Sequence, residues 1–287
     1  MSNCVYFNGE VLCASAARVP VDDRAVRVGL GFFETFRTSG GRPHHWSFNR
    51  ARLERACATA GLWLSPQLLA RDEEKLRDVL RRLLDEAGLT DAVFRYTITG
   101  GVADDAPGEL LTLRPLPSEP PAAGVDLRVL GLRRDNGEWL PRPKSLNQAN
   151  VLLGARELGR RTQVESDEGL FLARESGCVV ETTRQSLAWI VDGRLRFPDP
   201  SLGAVEGTCL AWVLGLGISS EPRRAQLEEV CNAEAVIVLN AVRGITPVRA
   251  IWDEQDRVPL ATWTSHAHPI VVSLRRQWCE SLAGTAR

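Results

Sequence analysis

The stretch Pro141-Arg142-Pro143-Lys144-Ser145-Leu146-Asn147 contains one of only two lysines in a chain with 35 Lys and Arg residues. The other lysine is Lys75. Arginine serves as well as lysine at solvated, paired or phosphate-binding positions, but its guanidinium stays protonated in proteins. An arginine therefore cannot become the free amine that attacks an aldehyde, whereas a lysine can. A lysine kept in such a background is a candidate nucleophile.

The sequence surroundings of the two lysines differ. Lys75 lies in the charged run Asp72-Glu73-Glu74-Lys75-Leu76-Arg77, where a solvated or paired role is expected. Lys144 follows a Pro-Arg-Pro hinge and precedes a long run of apolar periodicity, and the sequence places no carboxylate beside it. These residues alone leave a reactive and a structural role for Lys144 equally open.

Length and composition exclude several classes of function. The chain has 287 residues, 44% of them apolar and 25% charged, which is ordinary for a soluble globular protein of one large or two smaller domains. A formal net charge of -1 gives no general attraction to nucleic acid or to anionic membranes. No apolar run is long enough to span a bilayer, and the first residues lack the features of a signal peptide. We therefore expect a cytoplasmic protein with no nucleic-acid or membrane partner.

The cysteines and histidines predict no metal site. The seven cysteines are widely scattered, and no two have the spacing of metal ligands, so reduced and mostly buried thiols are expected. His266 and His268 flank Ala267, but no Cys, Asp or Glu cluster lies nearby to complete a site.

In the first half of the chain, turn residues mark the elements. Asn8-Gly9 predicts a type I′ hairpin because both residues tolerate positive φ. Residues 22–24 are expected to begin a loop that leads into Gly29-Leu30-Gly31. This Gly-x-Gly precedes a strand-like run, whereas a dinucleotide loop would precede a helix, which argues against nucleotide binding. One helix is predicted over 48–60. A second is predicted from Ser65-Pro66 to Gly88, with Ser65 as the N-cap and Pro66 as the first helical residue.

A proline-dense segment over residues 117–124 predicts an interdomain linker. It separates a small N-terminal domain, 1–116, from a larger C-terminal domain, 125–287. In the second half, Asp192-Gly193 predicts a hairpin, and helices are expected after Lys144, from Gly207 and from Pro269. Strands come in runs and hairpins more than in alternation with helices, which predicts an α+β fold.

Three further features accompany Lys144. Glu181 ends the strand-like run Cys178-Val179-Val180, where a buried carboxylate needs a protonated partner. Gly207-Thr208-Cys209 opens a helix whose free N–H groups suit a phosphate. Arg52 lies in a predicted helix and is a candidate second phosphate ligand. A reactive amine, a carboxylate, an anion cradle and an arginine are what pyridoxal 5'-phosphate (PLP) requires.

Together these residues resemble the fold-type IV PLP enzymes, the class IV aminotransferase family. This family includes branched-chain and D-amino-acid aminotransferases and aminodeoxychorismate lyase. The similarity extends from Phe7-Asn8-Gly9 to Gly244-Ile245-Thr246-Pro247-Val248. Its main blocks are Asp23-Arg24 with Gly29–Thr35, Arg52-Leu53, Lys144-Ser145-Leu146-Asn147, Val180-Glu181-Thr182-Thr183, Phe197-Pro198 and the Gly207 turn.

The resemblance implies a role for each residue type. Lys144 would hold PLP as an imine and then move the substrate α-proton, and Glu181 would keep the pyridine nitrogen protonated. The further cofactor-binding positions would be Arg52, Gly207, Thr208, Cys209 and Asn240. The positions expected to contact substrate are Phe33, Arg37, Ala241 and Val242. The family also implies a homodimer.

Departures from the family pattern leave the reaction open. Ser186-Leu187-Ala188 replaces an Asn-aliphatic-Phe segment, Leu210 stands where the turn often has arginine, and Gly100 replaces the arginine of a Thr-Arg-Gly. Transamination between a small amino acid or amine and a keto acid is the commonest family activity, and on that ground it is the first expectation. The alternative is 4-amino-4-deoxychorismate lyase, which makes 4-aminobenzoate and pyruvate; Lys144–Asn147 and Asn240-Ala241-Val242 resemble that branch. A non-catalytic relative with the same fold is a third interpretation.

Overall fold

The computed structural model describes residues 4–103, 107–135 and 142–286. They form two compact units. The first comprises the described residues up to Pro117 together with the short segments 143–147 and 280–286, and the second comprises the remaining described residues. Both units combine sheets with helices, which confirms the predicted α+β class.

The first unit contains one antiparallel sheet and three helices. Its strands are β1 (Cys4–Phe7), β2 (Glu10–Cys13), β3 (Gly31–Ser39), β4 (Arg42–Pro43), β5 (Ala92–Thr99) and β6 (Glu109–Pro115). Its helices are α1 (Arg24–Val28), α2 (Trp46–Thr59) and α3 (Glu73–Ala87). The strand order is β2-β1-β6-β5-β3-β4. Side chains from α2, α3 and one sheet face share a core that includes Phe36, Leu53, Leu80 and Tyr96.

The second unit contains a mixed sheet. Its strands are β7 (Val125–Val129), β8 (Glu168–Leu172), β9 (Val179–Thr182), β10 (Ser186–Val191), β11 (Arg194–Pro198), β12 (Ser220–Arg223), β13 (Ala235–Asn240), β14 (Gly244–Trp252) and β15 (Pro259–Thr262). Its helices are α4 (Ala149–Arg161), α5 (Thr208–Gly215), α6 (Leu227–Cys231) and α7 (Pro269–Ala286), the last of which ends in the first unit. The strand order is β12-β11-β10-β13-β14-β7-β8-β9, with β15 paired to β14. Its core includes Leu127, Trp189 and Val238.

The two predicted hairpin turns are confirmed. Asn8 and Gly9 have φ values of 46° and 101° between β1 and β2, and Asp192 and Gly193 have 51° and 69° between β10 and β11. The helices expected over 48–60, after Lys144, from Gly207 and from Pro269 correspond to α2, α4, α5 and α7.

The predicted start of the second helix at Ser65-Pro66 is wrong. Helix α3 begins at Glu73, where Asp72 accepts a hydrogen bond from the Lys75 N–H over 2.9 Å. The preceding segment forms turns instead, because the Leu69 N–H donates to Oε2 of the buried Glu109 over 3.0 Å. A carboxylate that is distant in sequence thus overrides the local helix signal.

Two other expectations also need correction. The loop expected from residue 22 contains the short helix α1, because the Asp23 carboxylate accepts the Ala25 N–H over 2.7 Å and caps it. The thiols are not mostly buried: Cys57, Cys178 and Cys209 are buried, Cys4 and Cys231 are intermediate, and Cys13 and Cys279 are exposed. In the described part of the chain, no helix has the length and apolar character needed to cross a membrane.

Candidate active site

Lys144 is held against the first residues of β3. The Phe33 N–H donates to the Lys144 carbonyl and the Leu146 N–H donates to the Gly31 carbonyl, both over 2.9 Å. A bridge between Phe32 and Ser145 completes this antiparallel contact. Gly31 is required by close approach, because an added Cβ would lie 2.6 Å from Leu146 Cδ1 and 2.7 Å from the Ile98 carbonyl oxygen. The Lys144 backbone is therefore fixed by a strand more than a hundred residues earlier.

Two basic side chains lie close to the Phe33 ring. The Lys144 ammonium nitrogen lies 5.0 Å from its centroid, and the Arg95 guanidinium carbon lies 3.6 Å from it. Arg95 is on β5, where it pairs with Thr35, and β3 alternation puts Phe33, Thr35 and Arg37 on one sheet face. This face therefore joins the predicted Lys144, Phe33 and Arg37 and adds Arg95, which sequence reasoning missed.

Arg52 lies on α2, against the other face of β3. Its Nε and Nη2 donate to the two oxygens of Glu34 over 2.9 and 2.5 Å, and Asn49 Nδ2 donates to Glu34 Oε2 over 2.7 Å. The Arg52 and Glu34 side chains are 8% and 1% exposed. Since Glu34 follows Phe33 in the strand, its side chain points away from the Phe33 face. Phosphate contact by Arg52 therefore stays a prediction, and Glu34 is a partner that sequence reasoning missed.

Glu181 is a buried carboxylate on β9 of the second unit. Its Oε1 accepts a hydrogen bond from Arg134 Nη2, and its Oε2 accepts the Val205 N–H over 3.1 Å. The protonated partner that the sequence required is therefore Arg134. Sequence reasoning missed it because nothing local distinguishes it among the chain's many arginines.

Gly207-Thr208-Cys209 forms the start of helix α5. Gly207 is the N-cap residue and makes no side-chain cap, and helix geometry leaves the first N–H groups without acceptors in the helix. A Cβ on Gly207 would lie 2.1 Å from Ser186 Oγ, so glycine keeps this approach open. Burial raises the pKa of the Cys209 thiol, which keeps it neutral and leaves its backbone N–H as the group offered to an anion.

Asn240 shapes the turn after β13. Its Oδ1 accepts the N–H groups of Val242 and Arg243 over 2.9 and 2.7 Å, and its Nδ2 donates to Gln185 Oε1 over 2.9 Å. Ala241 and Val242 lie in this turn. Gln185 thus contacts the Asn240 turn while its neighbour Ser186 contacts Gly207, so two predicted cofactor-binding segments lie side by side.

Comparison with known proteins identifies the family. Residues 31–251 match the family model described as amino-transferase class IV. This chain belongs to that family. It is 26% identical over 261 residues to the aminodeoxychorismate lyase of Bacillus subtilis (strain 168), with 86% of each chain covered. It is 25% identical over 259 residues to the D-alanine aminotransferase of Bacillus licheniformis, covering 86% of this chain and 88% of the relative.

The fold agrees with this assignment. The crystal structure of 4-amino-4-deoxychorismate lyase from Pseudomonas aeruginosa matches with a TM-score of 0.78 and 27% identity, covering 96% of this chain and 98% of that one. The predicted family and its fold type are therefore confirmed, and the chain is a class IV PLP-dependent enzyme. The relatives include both a lyase and an aminotransferase.

The second unit of this class IV enzyme has groups that fit PLP. The N–H groups at the start of α5 suit a phosphate, and the Gly207 approach to Ser186 leaves no space for a larger residue. Glu181 uses one acceptor position on each oxygen for Arg134 and Val205, so further lone pairs remain for a ring N–H. Among the residues that the structure describes, no group of three or more His, Cys, Asp or Glu side chains could hold a metal ion.

Proposed function

We propose that this chain binds PLP through Lys144 and removes a proton from the carbon that carries the substrate amino group. The observation that carries this proposal is the fixed position of the Lys144 backbone against β3, in a chain that uses arginine for almost every other cation. If only a positive charge were needed at this position, arginine would serve as well as lysine.

Each residue then has a task that follows from its chemistry. Lys144 would hold the cofactor through Nζ and afterwards accept the α-proton at the same atom. When bound, PLP supplies an electron sink for the carbanion that loss of this proton creates. Glu181 would face the ring nitrogen, and the first N–H groups of α5, at Thr208 and Cys209, would bind the phosphate. Arg52 and the Asn240 turn are the further proposed cofactor contacts.

For the reaction, we favour the release of pyruvate from 4-amino-4-deoxychorismate to leave 4-aminobenzoate. The Lys144–Asn147 and Asn240-Ala241-Val242 segments support this choice, as does similarity to lyases at 26% and 27% identity. The substrate has two carboxylates and a ring, and the Phe33 face presents Arg37, Arg95 and an aromatic side chain. Arginine pairs well with carboxylates, so this face suits such a substrate.

Transamination is the second candidate, and similarity to a D-alanine aminotransferase favours it. The two reactions share proton removal by Lys144 and differ in what the substrate loses next. The purified enzyme with PLP should release 4-aminobenzoate and pyruvate from aminodeoxychorismate without a keto acid. Turnover of an amino acid that requires a keto acid would support transamination instead. Absence of both activities and of bound PLP would leave the non-catalytic interpretation.

The homodimer remains a proposal from family resemblance, with residues of the partner copy lining the site, and the cytoplasmic location remains a proposal from the widely scattered cysteines. Analytical ultracentrifugation tests the dimer, since a fully active monomer would contradict it.

A further inference from the structure

The backbone of Arg134 is fixed beside strand β8. Its N–H donates to the Leu172 carbonyl and its carbonyl accepts the Arg174 N–H, both over 2.8 Å. A parallel bridge to Ala173 places this residue along one edge of the strand. Arg134 therefore starts from a rigid position, although it lies outside the named strands.

From there the Arg134 side chain spans β8 to reach Glu181. Its guanidinium carbon lies 5.2 Å from the centroid of Phe171, a β8 residue. Phe171 pairs with Glu181 of β9, so the two residues lie on neighbouring strands and share a face. The Phe171 ring is fixed from α4 as well, because Gly154 approaches it so closely that an added Cβ would lie 2.6 Å from Phe171 Cζ.

The resulting ion pair is buried, with the Arg134 and Glu181 side chains 4% and 8% exposed. We propose that Arg134 is a positioning residue that holds the Glu181 carboxylate in the orientation needed to face the PLP ring nitrogen. This inference rests on the proposed function, since it assigns Glu181 that role. A carboxylate buried without a cation would be strongly disfavoured and would turn toward water or become protonated. Arg134 prevents both before the cofactor binds.

Neighbouring groups do not replace Arg134 in this role. The Val205 N–H fixes only Oε2 of Glu181. Arg142 interacts electrostatically with Glu181, but its Nη2 donates a hydrogen bond to the Asp135 carbonyl over 2.5 Å. Arg134 Nη2 is therefore the cationic donor to Oε1 among the described residues.

The test compares Arg134→Met, which removes the charge, with Arg134→Lys, which keeps it. Arg133→Met is the matched control, because the adjacent Arg133 pairs with Glu254 in an exposed position. PLP affinity is measured by equilibrium dialysis. Arg134→Met should weaken PLP affinity about tenfold or more, because residues in direct contact typically show coupling of this size. Arg134→Lys should recover part of the loss, and Arg133→Met should leave the affinity unchanged.

A double-mutant cycle shows whether Arg134 acts through Glu181. Arg134→Met should have almost no further effect on PLP affinity when Glu181 is already Gln. Unchanged affinity in Arg134→Met, or equal losses with and without Glu181, would overturn the proposal. If Arg134→Met fails to fold, Arg134→Lys and the Arg134→Met/Glu181→Gln double variant still decide it, because the double variant contains no unpaired buried charge.

The same cycle in urea unfolding of the PLP-free protein separates the two proposals. If the wild-type protein does not bind PLP, the proposed function fails. The unfolding midpoints still report on the pair, and additive effects of the two substitutions would show that Arg134 does not hold Glu181. Non-additive unfolding with normal PLP affinity in Arg134→Met would show a merely structural ion pair and overturn the positioning role.

Discussion

Replacing Gly31 by alanine should displace Lys144, the proposed catalytic lysine, without a direct contact with it. The added methyl group would lie 2.6 Å from Leu146 Cδ1 and 2.7 Å from the Ile98 carbonyl oxygen. The Leu146 side chain can rotate away, but the Ile98 carbonyl belongs to the β5 backbone, which pairs with β3 along its length. Strand β3 must therefore shift, and the segment that carries Lys144 loses its support.

The magnitude follows from the contacts at risk. The two hydrogen bonds between β3 and residues 144–146 contribute about 1 kcal/mol each. Overpacking at such a site costs roughly 1–3 kcal/mol. We therefore expect the free energy of unfolding to fall by about 3–5 kcal/mol in total. A displacement of Lys144 by about 1 Å should lower turnover by roughly 100-fold.

Urea unfolding and steady-state turnover of the PLP-loaded enzyme provide the assay. Gly159→Ala is the control, because Gly159 lies inside α4 and an added Cβ would meet nothing within 4 Å. That variant should gain about 0.5–1 kcal/mol from the helix preference of alanine and keep full activity. Wild-type stability and turnover in Gly31→Ala would refute the contact of the lysine segment with β3.

Three further perturbations test the site and the stability of the fold. Glu181→Gln leaves Arg134 buried without its counter-charge, so we expect a loss of about 3–5 kcal/mol in the free energy of unfolding. PLP should still bind, though more weakly, and most turnover should be lost. Wild-type rates would mean that another carboxylate faces the ring. Gly207→Ala should weaken PLP binding measured by dialysis. Ser186→Ala should restore part of it in the double variant, because it removes the Oγ that would lie 2.1 Å from the new Cβ and leaves the Ser186 Cβ at 3.2 Å; no rescue would contradict this geometry. Burial lowers the pKa of His44 to about 3 and of His45 to about 4. Below the ordinary histidine pKa of about 6.5, the unfolded chain therefore binds protons at these two residues while the folded protein does not. The stability that is present above about pH 6.5 is then lost as the pH falls towards about 4. At pH 5 the loss in the free energy of unfolding is roughly 2 kcal/mol per histidine. In urea unfolding, a His44→Gln/His45→Asn variant should therefore lose less stability than the wild type between pH 7 and 5, and equal losses would refute the effect.

Local chemistry made part of the fold predictable. Asn8-Gly9 and Asp192-Gly193 form hairpins because these residues adopt positive φ at low cost. The start of α3 differs from the local prediction because Glu109, on strand β6, accepts the Leu69 N–H.

The candidate site shows the same division. Lys144 and Glu181 could be selected from their residue type and neighbouring sequence. Their supports could not, because the contacts are long-range: residues 144–146 pair with β3, and Arg134 reaches Glu181 across β8. A guanidinium that holds a functional carboxylate has the same sequence appearance as one on the surface.

The attachment of PLP to Lys144 is the most direct test of the central claim. The protein is incubated with PLP, reduced with borohydride and digested, and the modified peptide is located by mass spectrometry. Lys75→Arg is the matched control, because Lys75 Nζ donates to the Gln67 carbonyl over 2.8 Å and the Lys75 backbone N–H donates to the capping carboxylate of Asp72. We expect one PLP group on the Lys144 peptide in the wild type and in Lys75→Arg, and none in Lys144→Arg, since a guanidinium does not form the bond. A Lys144→Arg enzyme that keeps its activity and a reducible PLP attachment would contradict the account.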